Sequence, residues 1–110
     1  MKKDKYLRQR GGKARMLNIS CTACETFVLR YQKDGPGNLL RCYLNRIFAP
    51  PELEDLQRDP TIQKPKDMPN LACPNCHTVI GTPMRHIDDR LAFRLRKGMY
   101  AFKAVKGGRL

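Results

Sequence analysis

The chain has 110 residues and a formal net charge of +12, with 41% apolar and 29% charged residues. That length allows one small domain. The composition excludes a wholly disordered chain, and no apolar run approaches the roughly 18 residues of a membrane-spanning helix. A core of this size gives only marginal stability by itself, so we expect an additional cross-link to stabilise the domain. The five cysteines are the candidates for it.

The positive charge is concentrated at the two ends of the chain. Residues 1–15 and residues 85–110 each carry a net charge of +6, whereas residues 16–84 sum to zero. Two ends of one sign around a neutral middle favour a polyanionic partner over a merely solubilising surface, which would mix its signs. No apolar run follows the basic start as in a secretory signal, which predicts a cytoplasmic location.

The order of elements predicts a small, mainly β fold. Residues 1–15 lack periodicity and include Gly11-Gly12, so we expect a mobile basic arm ahead of a domain spanning residues 16–105. Residues 16–19 can form a short strand. The β-rich run 27–32 and the apolar run 39–48 flank a Gly-Pro-Gly turn, which predicts a β-hairpin. The second run also fits a helix, because four of its apolar residues share a helical face.

The second half of the chain predicts one short helix and a second hairpin. Residues 49–70 hold five of the eight prolines and form a predicted loop, in which a helix begins at Pro51 and ends before Pro60. A break is expected at residues 81–83. Residues 90–96 alternate strictly, and residues 99–105 can return as their partner strand. Residues 106–110 are expected to be a flexible tail.

The strongest motif is a repeated pair of cysteines. Cys21 and Cys24 form one C-x-x-C knuckle, and Cys73 and Cys76 form another, with 48 residues between them. Two residues between thiolates let one tight turn direct both sulfurs at a single ion, about 2.3 Å away, and two such turns complete a tetrahedron. In a reducing compartment such pairs indicate metal ligands before disulfides. The spacing therefore predicts one structural Zn²⁺.

Other chemistries remain open for these residues. The sequence Cys73–His77 has haem-attachment spacing, the first knuckle can be a redox dithiol, and the same four thiolates can bind iron. Cys42 lies within an apolar run and is expected to be a small buried residue. His77 can substitute for a ligand or support the site, but a surface position is expected, and His86 is expected in a solvated loop.

The two knuckles, on β-like segments with basic surroundings, resemble zinc ribbons. The segment Lys33–Ile47 is also similar to part of small prokaryotic zinc-ribbon proteins that have no assigned activity. Ribbons often carry glycine directly after the second cysteine of a knuckle, where this chain has Glu25 and His77. The resemblance implies a zinc-ribbon fold with β-hairpins, and it raises the expectation of a nucleic-acid partner, because zinc ribbons are common in transcription and translation proteins.

Three function hypotheses follow from these features, and an enzyme with a catalytic zinc is the least favoured. The favoured one is a monomeric zinc-binding module whose basic ends bind RNA or a ribonucleoprotein, with Tyr100 or Phe102 stacking on an unpaired base. The alternative is a protein–protein interaction adaptor that uses the loop at 49–70. Four thiolates close the zinc shell, which argues against catalysis. The basic side chains expected to contact nucleic acid are Lys2, Lys3, Lys5, Arg8, Arg10, Lys13, Arg15, Arg90, Arg94, Arg96, Lys97 and Lys103.

Overall fold

The computed structural model describes the backbone of residues 1–109 and the side chains of residues 1–105. Three short 3₁₀ segments, at 44–46, 55–58 and 65–67, join its elements. Among these residues there is no helix with the length and apolarity needed to cross a membrane. The helices and strands, in chain order, are α1 (Lys5–Gln9), β1 (Ala14–Cys21), β2 (Phe27–Asp34), β3 (Arg41–Tyr43), β4 (Ile47–Ala49), α2 (Pro51–Glu54), β5 (Leu71–Ala72), β6 (Val79–Arg85), β7 (Leu91–Leu95) and β8 (Tyr100–Arg109).

The strands form two four-stranded antiparallel sheets, which confirms the mainly β prediction. The first sheet has the order β4-β2-β1-β8, and the second has the order β3-β7-β6-β5. One hydrophobic cluster takes buried side chains from both sheets, including Leu17 and Ile19 of β1, Leu29 of β2, Ile80 of β6 and Phe93 of β7. The predicted short helix is also present as α2, which begins at Pro51 and continues as a 3₁₀ turn to residue 58, before Pro60.

The predicted hairpin across the Gly-Pro-Gly turn is wrong in its pairing. β2 pairs along its length with β1, from Ser20↔Phe27 to Ala14↔Asp34, so the first knuckle is the turn of that hairpin. The run 39–48 is neither one strand nor a helix. It divides into β3, which joins the second sheet, a 3₁₀ turn, and β4, which returns to β2. The division lets one segment contribute to both sheets.

The predicted hairpin of residues 90–105 is wrong for a similar reason. β7 lies between β6 and β3, whereas β8 crosses to the other sheet and pairs with β1. The expected break at 81–83 is in fact the middle of β6. Gly81 suits this position because a Cβ there would lie only 3.1 Å from the carbonyl oxygen of Arg94 on β7. The close approach of two central strands therefore explains that glycine better than a turn does.

The amino-terminal segment, predicted as a mobile arm, contains α1 and is attached to the domain. The Asp4 carboxylate caps the helix by accepting hydrogen bonds from the backbone N–H groups of Tyr6 and Leu7, and the Leu7 side chain is buried. The same carboxylate accepts two hydrogen bonds from the Arg46 guanidinium, which is fully buried and also bonds Asp34. A buried arginine with two carboxylates thus fixes the segment.

Candidate metal centre

Each cysteine knuckle is the tight turn of a β-hairpin, and the two turns have the same hydrogen bonds. In the first knuckle the N–H of Cys21 donates to the carbonyl of Thr26, and the N–H of residue 25 donates back to Cys21. In the second knuckle Cys73 has the same two bonds, with Thr78 and residue 77. Each turn therefore holds its two cysteines on one side.

Left-handed backbone completes both turns at the residue after the second cysteine. Glu25 has a φ of 63° and His77 has a φ of 64°. These are the positions at which ribbons often carry glycine, and the chain adopts the glycine-like conformation there without glycine. The strain of about 1–2 kcal/mol at each position is held by the surrounding turn. The departure from the ribbon pattern in sequence is thus not a departure in geometry.

The four knuckle sulfurs lie together at distances that suit one metal ion. The Sγ atoms of Cys21 and Cys76 are 3.7 Å apart, those of Cys24 and Cys73 are 3.5 Å apart, and all four lie within 4.8 Å of one another. A tetrahedron of sulfurs with metal–sulfur bonds of about 2.3 Å has edges of about 3.8 Å. The residues present therefore fit a four-thiolate metal site.

Two threonines support this cluster, and the sequence analysis did not identify them. The Thr26 hydroxyl oxygen lies 3.1 Å from Cys24 Sγ, and the Thr78 hydroxyl oxygen lies 3.1 Å from Cys76 Sγ. A hydroxyl can donate to a thiolate and stabilise its negative charge. The sequence does contain a signal for them, because a threonine follows two residues after the second cysteine of each knuckle, in the pattern C-x-x-C-x-T.

The surroundings shift the pKa values of three of these cysteines, two downwards and one upwards. The hydrogen bond from Thr26 lowers the pKa of Cys24 to about 5, and that from Thr78 lowers the pKa of Cys76. Burial raises the pKa of Cys21 to about 11. A divalent cation among the four would favour the thiolate form of all of them, since a coordinating thiol loses its proton.

The centre connects the two sheets. The first knuckle joins β1 to β2 in the first sheet, and the second knuckle joins β5 to β6 in the second sheet. Cys21 and Cys73 are buried in the shared core, whereas Cys76 is exposed. A metal ion bound here therefore cross-links two sheets at one end of the domain.

The remaining cysteine and both histidines lie outside this cluster. Cys42 is fully buried on β3 opposite Phe93, as predicted, and its burial raises the pKa of the thiol. The His77 side chain is exposed. His86 lies in the turn between β6 and β7, as expected, but its side chain is half-buried and lies edge-on to the Tyr43 ring, with 5.3 Å between ring centroids.

Ten of the twelve basic side chains predicted to contact nucleic acid are exposed. Lys2 is half-buried, and its ammonium donates to Gln57 at 2.6 Å. The exposed side chains are those of Lys3, Lys5, Arg8, Arg10, Lys13, Arg15, Arg94, Arg96, Lys97 and Lys103.

Arg90 is the second exception. Its guanidinium carbon lies 3.8 Å from the Tyr6 ring centroid and 3.7 Å from the Tyr43 ring centroid, and the side chain pairs with Asp88 at 2.9 Å. Of the three arginines predicted in this region, only Arg94 on β7 and Arg96 directly after it are therefore exposed. Cation–π contacts hold Arg90 in the fold instead.

A groove with a volume of about 550 Å³ is lined by residues of β1, β2 and β8 and by the loop at 36–40. Its lining includes Arg15, Lys33 and Lys97 together with Tyr100 and Phe102, and the described residues that line it include no acid. The Tyr100 hydroxyl donates to a backbone carbonyl at 2.6 Å, whereas the Phe102 ring is 46% exposed. Of the two aromatics proposed for stacking, only Phe102 therefore has an open ring.

No protein-family model matches the chain, and neither a curated protein nor a solved structure is significantly similar to it. The likeness to zinc ribbons therefore rests on the knuckles alone.

Proposed function

We propose that the protein is a zinc-stabilised module that binds single-stranded nucleic acid, with RNA favoured, through the groove beside β8. Zinc is the metal of choice because four cysteine thiolates in a tetrahedron are a typical structural zinc set. With four thiolates the shell is closed, so we assign the metal a structural role and no catalytic one. Iron prefers the same ligands and is distinguished by its visible absorption.

The observation that carries this proposal is the pairing of β1 with β8. It places Arg15, the last residue of the basic amino-terminal segment, opposite residue 109, and Asn18 opposite Lys103. Clustering like charges on one edge opposes folding unless a polyanion is bound there. The adjoining groove has cations on its walls and an open phenylalanine ring, which is the combination that binds a sugar–phosphate chain and stacks on unpaired bases.

The test is the salt dependence of binding to a fluorescent ten-nucleotide RNA, measured by anisotropy. If about six phosphates are neutralised, the logarithm of the affinity should fall with the logarithm of salt concentration with a slope of about −4. Replacing two groove cations, in Arg15→Gln/Lys97→Gln, should reduce the magnitude of the slope by about 1.4, because each lost phosphate contact removes about 0.7.

The matched control is Lys64→Gln/Lys66→Gln, which removes the same charge from exposed positions outside the groove. We expect this control to change the slope less than the groove variant does. Equal effects of the two variants would point to general charge attraction and not to the groove. Absence of RNA binding at low salt would reject the proposal and favour the protein-interaction adaptor.

A further inference from the structure

A second, smaller pocket adjoins the groove and shares Lys33, Asn38, Leu39 and Leu40 with it. Its lining includes four cations, Arg10, Lys33, Arg41 and Arg90, and a single acid, Asp34. The elements that supply these side chains are distant in sequence. Gly35 allows them to meet, because with a φ of +77° it packs against the backbone of residue 10, where any Cβ would overlap the carbonyl oxygen.

The one acid does not neutralise the pocket. The Asp34 carboxylate accepts a hydrogen bond from Arg46 at 2.8 Å and another from Gln32 at 2.9 Å, so both of its oxygens are engaged outside the pocket. Arg46 is not among the residues that line the pocket. Apart from Arg90, which pairs with Asp88, the pocket cations must therefore find their counter-charge elsewhere.

Three of these cations have no carboxylate partner among the described side chains. Arg10 donates to the Tyr43 hydroxyl at 2.9 Å, and Lys33 donates only to the backbone carbonyls of residues 34 and 35. The Arg41 side chain makes no hydrogen bond or ion pair within the part of the chain that the structure describes. The Tyr43 hydroxyl, which accepts from Arg10, still has its own hydrogen to donate.

Burial makes this arrangement costly without an anion. Lys33 is only 7% exposed, and burial together with Arg10 and Arg15 lowers the pKa of its ammonium. Arg90 is paired with Asp88 and its side chain is 9% exposed, but its Nη1 atom has no hydrogen-bond partner among the described residues. Buried charge without compensation is strongly unfavourable. The pocket has the electrostatic character of an anion site.

We infer that this pocket binds a terminal phosphate group of the single-stranded nucleic acid, an inference that rests on the proposed function. The cavity volume is about 30 Å³, which is room for two or so water-sized groups such as phosphate oxygens. A terminal phosphate has two negative charges and one covalent connection, so it suits a small cationic pocket better than an internal phosphodiester, which has one charge and a covalent connection on each side. The pocket adjoins the groove, which holds Phe102, so the rest of the strand can continue there.

The test compares three RNA strands of one sequence, with a 5′-phosphate, a 3′-phosphate or two hydroxyl ends. We expect one phosphorylated strand to bind at least tenfold more tightly than the hydroxyl strand, and the end preferred gives the direction of the chain. Equal affinity of all three strands would overturn the inference and leave the proposed function standing. Failure of every strand to bind would overturn both.

Inorganic phosphate distinguishes a strand end from a free anion. At millimolar concentration it should reduce the affinity of the preferred strand towards that of the hydroxyl strand and leave the hydroxyl strand unaffected at constant ionic strength. If phosphate raises the melting temperature while the three strands bind equally, the pocket holds free phosphate only, and the assignment to a strand end is wrong.

A pair of arginines provides a matched set of variants. Arg41 on β3 is directly opposite Arg94 on β7, but only Arg41 lines the pocket. Arg41→Gln should abolish the preference for the phosphorylated strand, whereas Arg94→Gln should weaken both strands by the same factor. Unchanged zinc content and melting temperature confirm that each variant is folded. A preference that survives in Arg41→Gln contradicts the inference.

Discussion

The threonines beside the metal ligands are expected to strengthen metal binding, and Thr26→Val tests this directly. The substitution keeps the branched shape and removes the hydroxyl that lies 3.1 Å from Cys24 Sγ. A hydrogen bond to a charged group contributes about 1.5–3 kcal/mol, and loss of a group that supports a metal ligand weakens metal binding about 10–100-fold. Tenfold corresponds to about 1.4 kcal/mol, so the two figures agree. We expect the zinc dissociation constant to rise by that 10–100-fold.

Competition with a chromophoric zinc chelator measures this change at constant pH. Thr78→Val should have an effect of similar size, because its hydroxyl is at the same distance from Cys76 Sγ. Thr22→Val is the control, since Thr22 lies in the first knuckle but donates to the Gly98 carbonyl at 2.8 Å and not to a sulfur. An unchanged zinc affinity in Thr26→Val, or an equal loss in Thr22→Val, would refute the role of the hydroxyl.

Five further substitutions, at four positions, probe the fold and the ligand set. Asp4→Asn should lower the free energy of unfolding at pH 7 by about 1–2 kcal/mol in urea titrations. Arg46 holds the pKa of Asp4 at about 2 against 3.8, an interval equal to about 2.4 kcal/mol before screening of a carboxylate more than a third exposed. Because the folded pKa is the lower one, the difference from wild type should disappear as pH falls from about 4 to 2. His77→Val should lower the free energy of unfolding by about 1–2 kcal/mol in the same titration, because a β-branched residue resists a φ of 64°. His77→Gly should lower it much less. Equal losses in the two variants would contradict this explanation. Cys24→Ser should reduce the zinc content measured by mass spectrometry, whereas Cys42→Ser should keep one zinc per chain; the opposite result would reassign the ligands.

The cysteine cluster was predictable because its geometry is local. Two residues between the cysteines are enough to define each turn, and only the meeting of the two turns depends on the rest of the chain. The helix at Pro51 was predictable for the same reason, since proline and acids at its start are local signals. The left-handed positions at Glu25 and His77 were indicated only by analogy with glycine-containing ribbons.

Strand pairing was not predictable, because alternation identifies a strand face and not its partner. Residues 90–96 and 99–105 have the pattern of a hairpin, yet they belong to different sheets. When two sheets share one core, the chain can cross from one sheet to the other, and no turn residue in the sequence signals that crossing. The attachment of the amino-terminal segment depends on Arg46, about forty residues away from Asp4, so a local pattern could not reveal it.

The same limitation concealed the phosphate pocket. Because the charges of residues 16–84 sum to zero, Lys33 and Arg41 were not among the basic residues predicted to contact nucleic acid. The acids that cancel Lys33 and Arg41 in this sum do not pair with them in the fold. Asp34, for example, pairs with Arg46. Net charge of a segment therefore underestimates the charge of a site that the segment helps to form.

The metal centre and the groove should be coupled although none of the groove side chains is a ligand. The groove has Arg15 and Phe102 from the first sheet on one side and Leu95 from the second sheet on the other. The metal cross-links those sheets, so its removal should release the second wall and reduce RNA affinity. A structural zinc supplies about 10–16 kcal/mol in small peptides, comparable to the stability of a whole domain. Chelation should therefore abolish RNA binding and cooperative unfolding together, and readdition of zinc should restore both. RNA binding that survives complete chelation would show that the basic ends act without the fold.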